Sequence, residues 1–335
     1  MKNRRSMALA LAAGVGVALA PSVGSATVIA PGYVVTEIAL PDYAAGDVVV
    51  VGDALFVGIG AGFVGGSQSV LRIDAAGPTV VAQGFQALGG FAYDAVNDRL
   101  IVADNGLEAF GAITGDTVFA IPSPLGAFPT PAAAADLALL PAGALPGVAD
   151  IVLDPSDPSR DTLLVTDSSA TDRVLRIALG TGDVSALQPI AGFAAGLAAD
   201  ASTIWFGGVA FDAAWNAIGT VSRVPQPGVD PATEVATGLP GQYDLELASD
   251  GSLLSTSGGA LVRIDPLTGE TATVATGFGF ATGLFEAGGS IWVLDGGFPG
   301  VASVFRLTPI PEPGTLVLLG SGLALVGGRV RAAAR

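Results

Sequence analysis

The chain has 335 residues, half of them hydrophobic, with 48 glycines, 22 prolines, no cysteine and no histidine. Its formal net charge is −16, and the eight arginines between residues 27 and 312 stand against all 30 acids, a balance of −22 for that stretch. Disulfides, thiolate nucleophiles, Ser-His-Asp triads, haem ligation and most zinc and copper sites are excluded, and the charge repels nucleic acid and anionic membranes.

At the N-terminus, Lys2, Arg4 and Arg5 precede an apolar stretch from Met7 to Ala20 and the small residues Gly24-Ser25-Ala26, the three parts of a secretory signal peptide. Cleavage is expected after Ala26, since a cut after Ala20 would place Pro21 at the first mature position. Residues 1–26 imply the Sec translocon and signal peptidase as partners, and they leave a body of residues 27–310. Both methionines, Met1 and Met7, depart with the signal, so the body holds neither sulfur nor imidazole.

Within the body a strand pattern, apolar-x-Arg-apolar, recurs. It appears around Arg72, Arg176, Arg223, Arg263 and Arg306, with a degenerate copy at Val118-Phe119-Ala120-Ile121. The six copies are spaced by roughly 40 to 56 residues, within or near the period of a propeller blade. Upstream of each lies a second apolar strand, for example Leu163-Leu164-Val165 and Ile291-Trp292-Val293. Each unit opens on a short strand closed by an acid or Gly turn, such as Asp150-Ile151-Val152-Leu153-Asp154 and Tyr243-Asp244-Leu245-Glu246-Leu247, and most end on a fourth, such as Thr79–Gly84. Four strands per unit and Gly, Asp and Pro turns predict an all-β fold, a six-bladed β-propeller.

The last unit runs out of chain before its fourth strand. Tyr33–Pro41 reads like Ala232–Pro240, which is a fourth strand, so an N-terminal strand is expected to pair beside 303–307 and close the ring. Pro122–Gly147 interrupts the repeat as an insertion of Ala, Pro, Gly and Leu, long for a connection in one domain. Thr130 and Pro131 suit the start of a short helix over Ala132–Leu140, either a lid on one face or an inert surface piece.

The C-terminal segment 311–335 holds Pro311-Glu312-Pro313-Gly314-Thr315, an uncharged run Leu316–Gly328, then Arg329, Arg331 and Arg335. As a helix the run would span roughly 20 Å, short of the ~30 Å hydrocarbon core, a marginal anchor whose basic end faces the cytoplasm. The order of these parts resembles the PEP-CTERM sorting signal of exported bacterial proteins. The resemblance implies recognition of Pro311, Glu312 and Pro313 with Arg329 and Arg331, handling by the membrane protease-transpeptidase exosortase, a transient inner-membrane intermediate, and release to the cell surface or exterior. Systems of this family commonly accompany exopolysaccharide, which makes extracellular polysaccharide a partner by resemblance. The blade pattern over residues 33–307 is similar to NHL-type and gluconolactonase-type propellers.

Three second strands run into an aspartate at one repeat position: Asp104, Asp167 and Asp295; Ile59, Gly208 and Ser257 stand there in the other blades. Two readings stand. Each aspartate accepts N–H groups in its own turn, or the three hold a divalent cation, with calcium the metal that oxygen-only ligands favour; the gluconolactonase resemblance makes such a site conceivable. Asp154-Pro-Ser-Asp157-Pro-Ser-Arg-Asp161 reads as tandem turns or a calcium loop, and it lacks the alternating acids and central Gly of an EF-hand. Trp205 and Trp292 share a mid-strand position and are expected in the core, whereas Trp215, on a loop, is the sugar-stacking candidate.

Two function classes remain. One is a noncatalytic exported propeller whose loops bind protein, polysaccharide or a cation. The other is a carboxylate- or metal-dependent hydrolase of lactonase or glycosidase type, which needs at least two acids in one cleft.

Overall fold

Tyr33–Ala39, the first strand (β1), lies antiparallel on the last (β24, Ser303–Pro309) in a register running from Tyr33 opposite Pro309 to Ala39 opposite Ser303. This pairing, expected from the sequence, completes a six-bladed all-β propeller. The computed structural model describes residues 28–60, 67–105, 116–145, 147–168, 171–296 and 302–311. The signal segment and residues 312–335, with the expected apolar helix, Glu312, Pro313, Arg329 and Arg331, lie outside the described residues. Among those described, no helix is long and apolar enough to cross a membrane.

The blades follow chain order, each an antiparallel meander from axis to rim. Blade 1 holds β2 (Ala44–Val51), β3 (Ala54–Ile59), β4 (Gln68–Asp74) and β5 (Gly77–Phe85); blade 2 holds β6 (Leu88–Asp94), β7 (Arg99–Asp104) and β8 (Thr117–Pro122). Blade 3 is β10 (Val148–Leu153), β11 (Thr162–Asp167), β12 (Arg173–Ala178) and β13 (Asp183–Pro189). Blade 4 is β14 (Phe193–Ala199), β15 (Thr203–Phe211), β16 (Ala217–Pro225) and β17 (Thr233–Leu239). Blade 5 is β18 (Asp244–Leu247), β19 (Leu253–Ser257), β20 (Ala260–Ile264) and β21 (Thr271–Thr276). Blade 6 is β22 (Ala281–Ala287), β23 (Ser290–Asp295), β24 and β1.

Blade 2 departs from the four-strand expectation because it has three strands of its own, and the insertion supplies the rest. The expected helix over Ala132–Leu140 does not form. Ala132–Ala133 (β9) pairs parallel to β5 of blade 1, and Ala134–Asp136 is one 3-10 turn with no side-chain cap. Leu137 and Leu139 then line the open edge of β8, with Ala120 N–H to Leu137 O and Leu139 N–H to Val118 O both 2.9 Å. An unpaired edge leaves N–H and C=O groups unsatisfied, and that demand overrides the local helix-start signal. Ala134 is buried with Phe85 and Phe119, and Leu140 and Leu145 are buried against blade 3.

Strands covered on both faces by neighbouring blades are apolar throughout, as β3 is, with all six residues buried. The core accordingly falls into six apolar clusters, one at each blade interface. Trp205 is buried in the interface of blades 4 and 5, and Trp292 packs on that of blades 6 and 1, as expected of core residues. Three of the repeated arginines tie each blade to the next. Arg72 donates to Gly126 O at 2.7 Å, Arg176 to Pro227 O at 2.9 Å and Arg223 to Pro266 O at 3.0 Å, each acceptor lying after the third strand of the following blade.

Closure has a measurable consequence. A chain beginning after Pro41 loses β1 and uncovers the edge of β24, and it should melt at least about 10 °C lower or aggregate. An unchanged melting temperature by calorimetry would show that the seam contributes nothing.

Candidate functional site

First strands begin, and second strands end, on the same face of the ring, so the loops joining consecutive blades and the loops after the second strands share that face. Asp104, Asp167 and Asp295 sit there in blades 2, 3 and 6, all buried. Asp104 accepts N–H bonds from Gln86 and Ala87, the shortest 2.6 Å, and Asp295 accepts from Gly279 and Phe280, both 2.7 Å. Asp167 pairs with Arg173 at 3.1 Å. Where blade 5 has Ser257, the hydroxyl reaches the equivalent loop at Gly241 O, 2.8 Å. Asp104 and Asp295 thus latch the end of a second strand to the loop that enters the same blade, and burial raises the Asp104 carboxyl against the lowering by its two N–H bonds. Among the described residues no group of three or more acids forms a ready metal site.

The Asp154–Asp161 segment folds as tandem turns. Asp154 Oδ1 accepts from Ser156 N–H at 2.9 Å, Asp157 Oδ1 accepts from Ser159 N–H at 2.9 Å, and bonds from Ser159 and Thr162 hold the Asp157 carboxyl down at about 2.

Trp215 stands at the tip of the hairpin between β15 and β16. Asp212 builds that tip: its Oδ1 accepts N–H bonds from Ala214 at 2.8 Å and Asn216 at 2.9 Å, and its Oδ2 accepts the Asn216 amide at 2.8 Å. The turn puts Trp215 at φ +64°, a left-handed conformation uncommon for a bulky residue and characteristic of sites where the surroundings override strain. The indole is 63% exposed and continues a row of rings, 6.2 Å to Phe211 and from there 6.0 Å to Phe193.

A third group escaped the sequence reading. At one repeat position of the inner strands, blades 1, 3 and 5 carry Asp47, Asp150 and Asp244, whereas blades 2, 4 and 6 carry Gly90, Gly196 and Gly283. Asp47 and Asp150 each bond their own strand and the next blade. Asp47 accepts from Val48 at 2.6 Å and Phe91 at 3.1 Å, and Asp150 accepts from Ile151 at 2.7 Å and Leu197 at 2.7 Å. Asp244 accepts from Leu245 at 2.7 Å. The glycines are required by close approach: a Cβ on Gly90, Gly196 or Gly283 would run into Asp150, into the Asp244-Leu245 backbone, or into Asp47. Asp244 lies within hydrogen-bond reach of the Asp47 and Asp150 carboxyls, so the three meet at the axis. The alternation Asp, Gly, Asp, Gly, Asp, Gly at one repeat position was the signal available in the sequence.

Comparison with known proteins adds two findings. Residues 309–332 match the PEP-CTERM protein-sorting motif, which marks the chain for export across the membrane, exosortase processing, and the cell surface or exterior. In structure the chain is similar to a gluconolactonase from Xanthomonas campestris, with TM-score 0.61, 15% identity, and 88% of this chain and 99% of that one covered. It is also similar to a luciferin-regenerating enzyme (TM-score 0.56, 13% identity, 83% and 96% covered). Virginiamycin B lyase from Staphylococcus aureus is comparable (0.52, 13% identity, 83% and 100% covered). At these identities the likeness establishes the propeller fold alone. No curated protein sequence matches the chain.

The latch geometry predicts a structural cost for losing one aspartate. Asp104→Ala leaves the N–H groups of Gln86 and Ala87 without their acceptor and should destabilise the protein by about 2 kcal/mol, read as a lower denaturant midpoint; a midpoint equal to wild type would show that the latch is dispensable.

Proposed function

We propose that this protein is a noncatalytic binding propeller, sorted by exosortase to the cell surface or extracellular matrix, that holds neutral polysaccharide on the Trp215 hairpin. The observation that carries the reading is the preformed tip: Asp212 fixes the turn, the turn sets Trp215 at positive φ, and the exposed indole continues the Phe193-Phe211 row. A rigid, exposed aromatic face suits the C–H face of a sugar ring and loses little conformational entropy on binding. The strongly acidic body repels anionic polymers, which favours uncharged glycans.

The hydrolase reading has less support. The carboxylates that do come together, Asp47, Asp150 and Asp244, are buried and bonded to inner-strand N–H groups, a strapping role rather than an exposed acid-base pair. The calcium reading of Asp104, Asp167 and Asp295 competes with the N–H bonds that Asp104 and Asp295 already accept.

Affinity electrophoresis of the exported protein in gels containing neutral polysaccharide should show retardation, and Trp215→Ala should weaken it roughly tenfold, about 1.4 kcal/mol, without changing the melting temperature. Equal retardation of the variant would sink the reading. For sorting, Glu312→Ala or Pro313→Ala should leave an unprocessed precursor in the inner membrane of a host with exosortase. Mass spectrometry of released wild-type protein still ending at Arg335 would contradict exosortase processing.

A further inference from the structure

The three axial aspartates form a cluster whose charge the described structure leaves uncompensated. Asp47 and Asp150 each accept two N–H bonds, one from their own strand and one from the next blade. Asp244 differs. Its Oδ1 accepts from Leu245, and the Leu284 N–H, counterpart of Phe91 and Leu197, still acts on the carboxyl, yet Oδ2 is buried with no hydrogen-bond donor in place. Asp244 is only 6% exposed and faces Asp47 and Asp150. A buried acceptor without a donor is costly, and two acceptors facing each other at hydrogen-bond range need a hydrogen between them.

Among the described residues no arginine acts on the ring. The charged groups acting on the three carboxyls are one another, together with Glu246 on β18, which acts on Asp150. Glu286 on β22 faces Glu246 rather than the ring. On β6, Asp94 is at the far end, paired with Arg99 of β7 at 2.8 Å, and β14 carries no ionisable residue. At the ends of the second strands, Asp104 and Asp295 are engaged as latches and Asp167 is paired with Arg173 of β12.

We infer that the axial ring is a proton-binding site: the ring holds a proton between the Asp244 oxygen that lacks a donor and the facing carboxyls of Asp47 and Asp150, and releases it to solvent as the pH rises. Burial and mutual repulsion push Asp47 and Asp150 well above the ordinary carboxylate value, and burial takes Asp244 to about 6. The sign follows. Groups raised in the folded state contribute stability that is complete below the unfolded value near 3.8 and is lost as pH rises through about 6 and beyond. Asp94, Asp157, Asp212, Asp250 and Asp265 are lowered, so their contribution disappears only in more acidic solution. The ring is therefore a lock on the inner strands that is tighter in mildly acidic surroundings than in alkaline ones.

Glu246, pushed to about 8 by burial and by the charges of Asp244 and Glu286, adds a second alkaline-side loss that must be separated. The test is a set of thermal melts of the full chain from about pH 5 to about pH 9 at fixed ionic strength with chelator present, for wild type, Glu246→Gln, and Glu246→Gln with Asp244→Asn. Glu246→Gln should still lose more than about 3 °C between about pH 5 and pH 8. Adding Asp244→Asn, whose amide brings its own donor, should abolish that loss. An undiminished slope in the double variant overturns the proposal, as does calcium restoring the acidic melting temperature at about pH 8, which would make the ring a cation site. Should the double variant fail to fold, carbon-13 titration of the wild-type aspartate carboxyls decides: a midpoint near 6 supports the shared proton, and midpoints all below about 4.5 refute it.

Discussion

Six inner strands must reach the propeller axis together, and everything outward of them depends on how that crowding is solved. Strand backbones cannot interpenetrate, so close approach requires residues without side chains at some positions and polar groups that bond across the gap at others. Gly90, Gly196 and Gly283 meet the first need, and Asp47 and Asp150 meet the second by bonding the N–H groups of the next blade. The six apolar clusters between blades can then pack, because their inner ends are held at a fixed spacing. Toward the other face the arginine bonds from blade to blade repeat the arrangement with opposite charge, Arg72, Arg176 and Arg223 each capturing carbonyls of the following blade.

The hairpin proposed to bind glycan projects from this frame. The inner strands and latched loops have most of their polar groups buried within the fold, leaving little to offer a ligand. The β15–β16 hairpin extends past its neighbours, with Phe211 half-buried and Trp215 exposed beyond the latch level, and Asp212 keeps its tip from collapsing. Such a division between a rigid ring and one projecting aromatic tip suits a protein that is exported and displayed.

Much of the architecture was legible because it repeats. The third-strand pattern recurs six times, five times with a central arginine, and Tyr33–Pro41 resembles a fourth strand closely enough to predict the closure that the register of β1 on β24 displays. The insertion was misread: Thr130, Pro131 and an alanine run are local helix signals, whereas the unpaired edge of β8 is a tertiary demand invisible at that range. The axial aspartates were missed for a related reason. Asp150 and Asp244 each look like an ordinary strand-start residue within one blade, and only alignment of all six first strands brings out the alternation with glycine. The Trp215 tip was legible as an exposed loop aromatic, but its ring partner Phe193 comes from another strand, and only the fold brings the two into one row.

The alternation at the axis carries a rule of parity. An aspartate of one blade lies against the glycine of the blade before it and bonds the blade after it, so the unit of construction is a pair of blades rather than one. Adding or deleting a single blade would place two aspartates or two glycines side by side, producing either a clash of buried carboxylates or an unfilled gap. A ring built on this pattern can change size only in steps of two, and a lineage that grew by duplicating segments of this chain would be held to even numbers of blades for as long as Asp47, Asp150 and Asp244 remained.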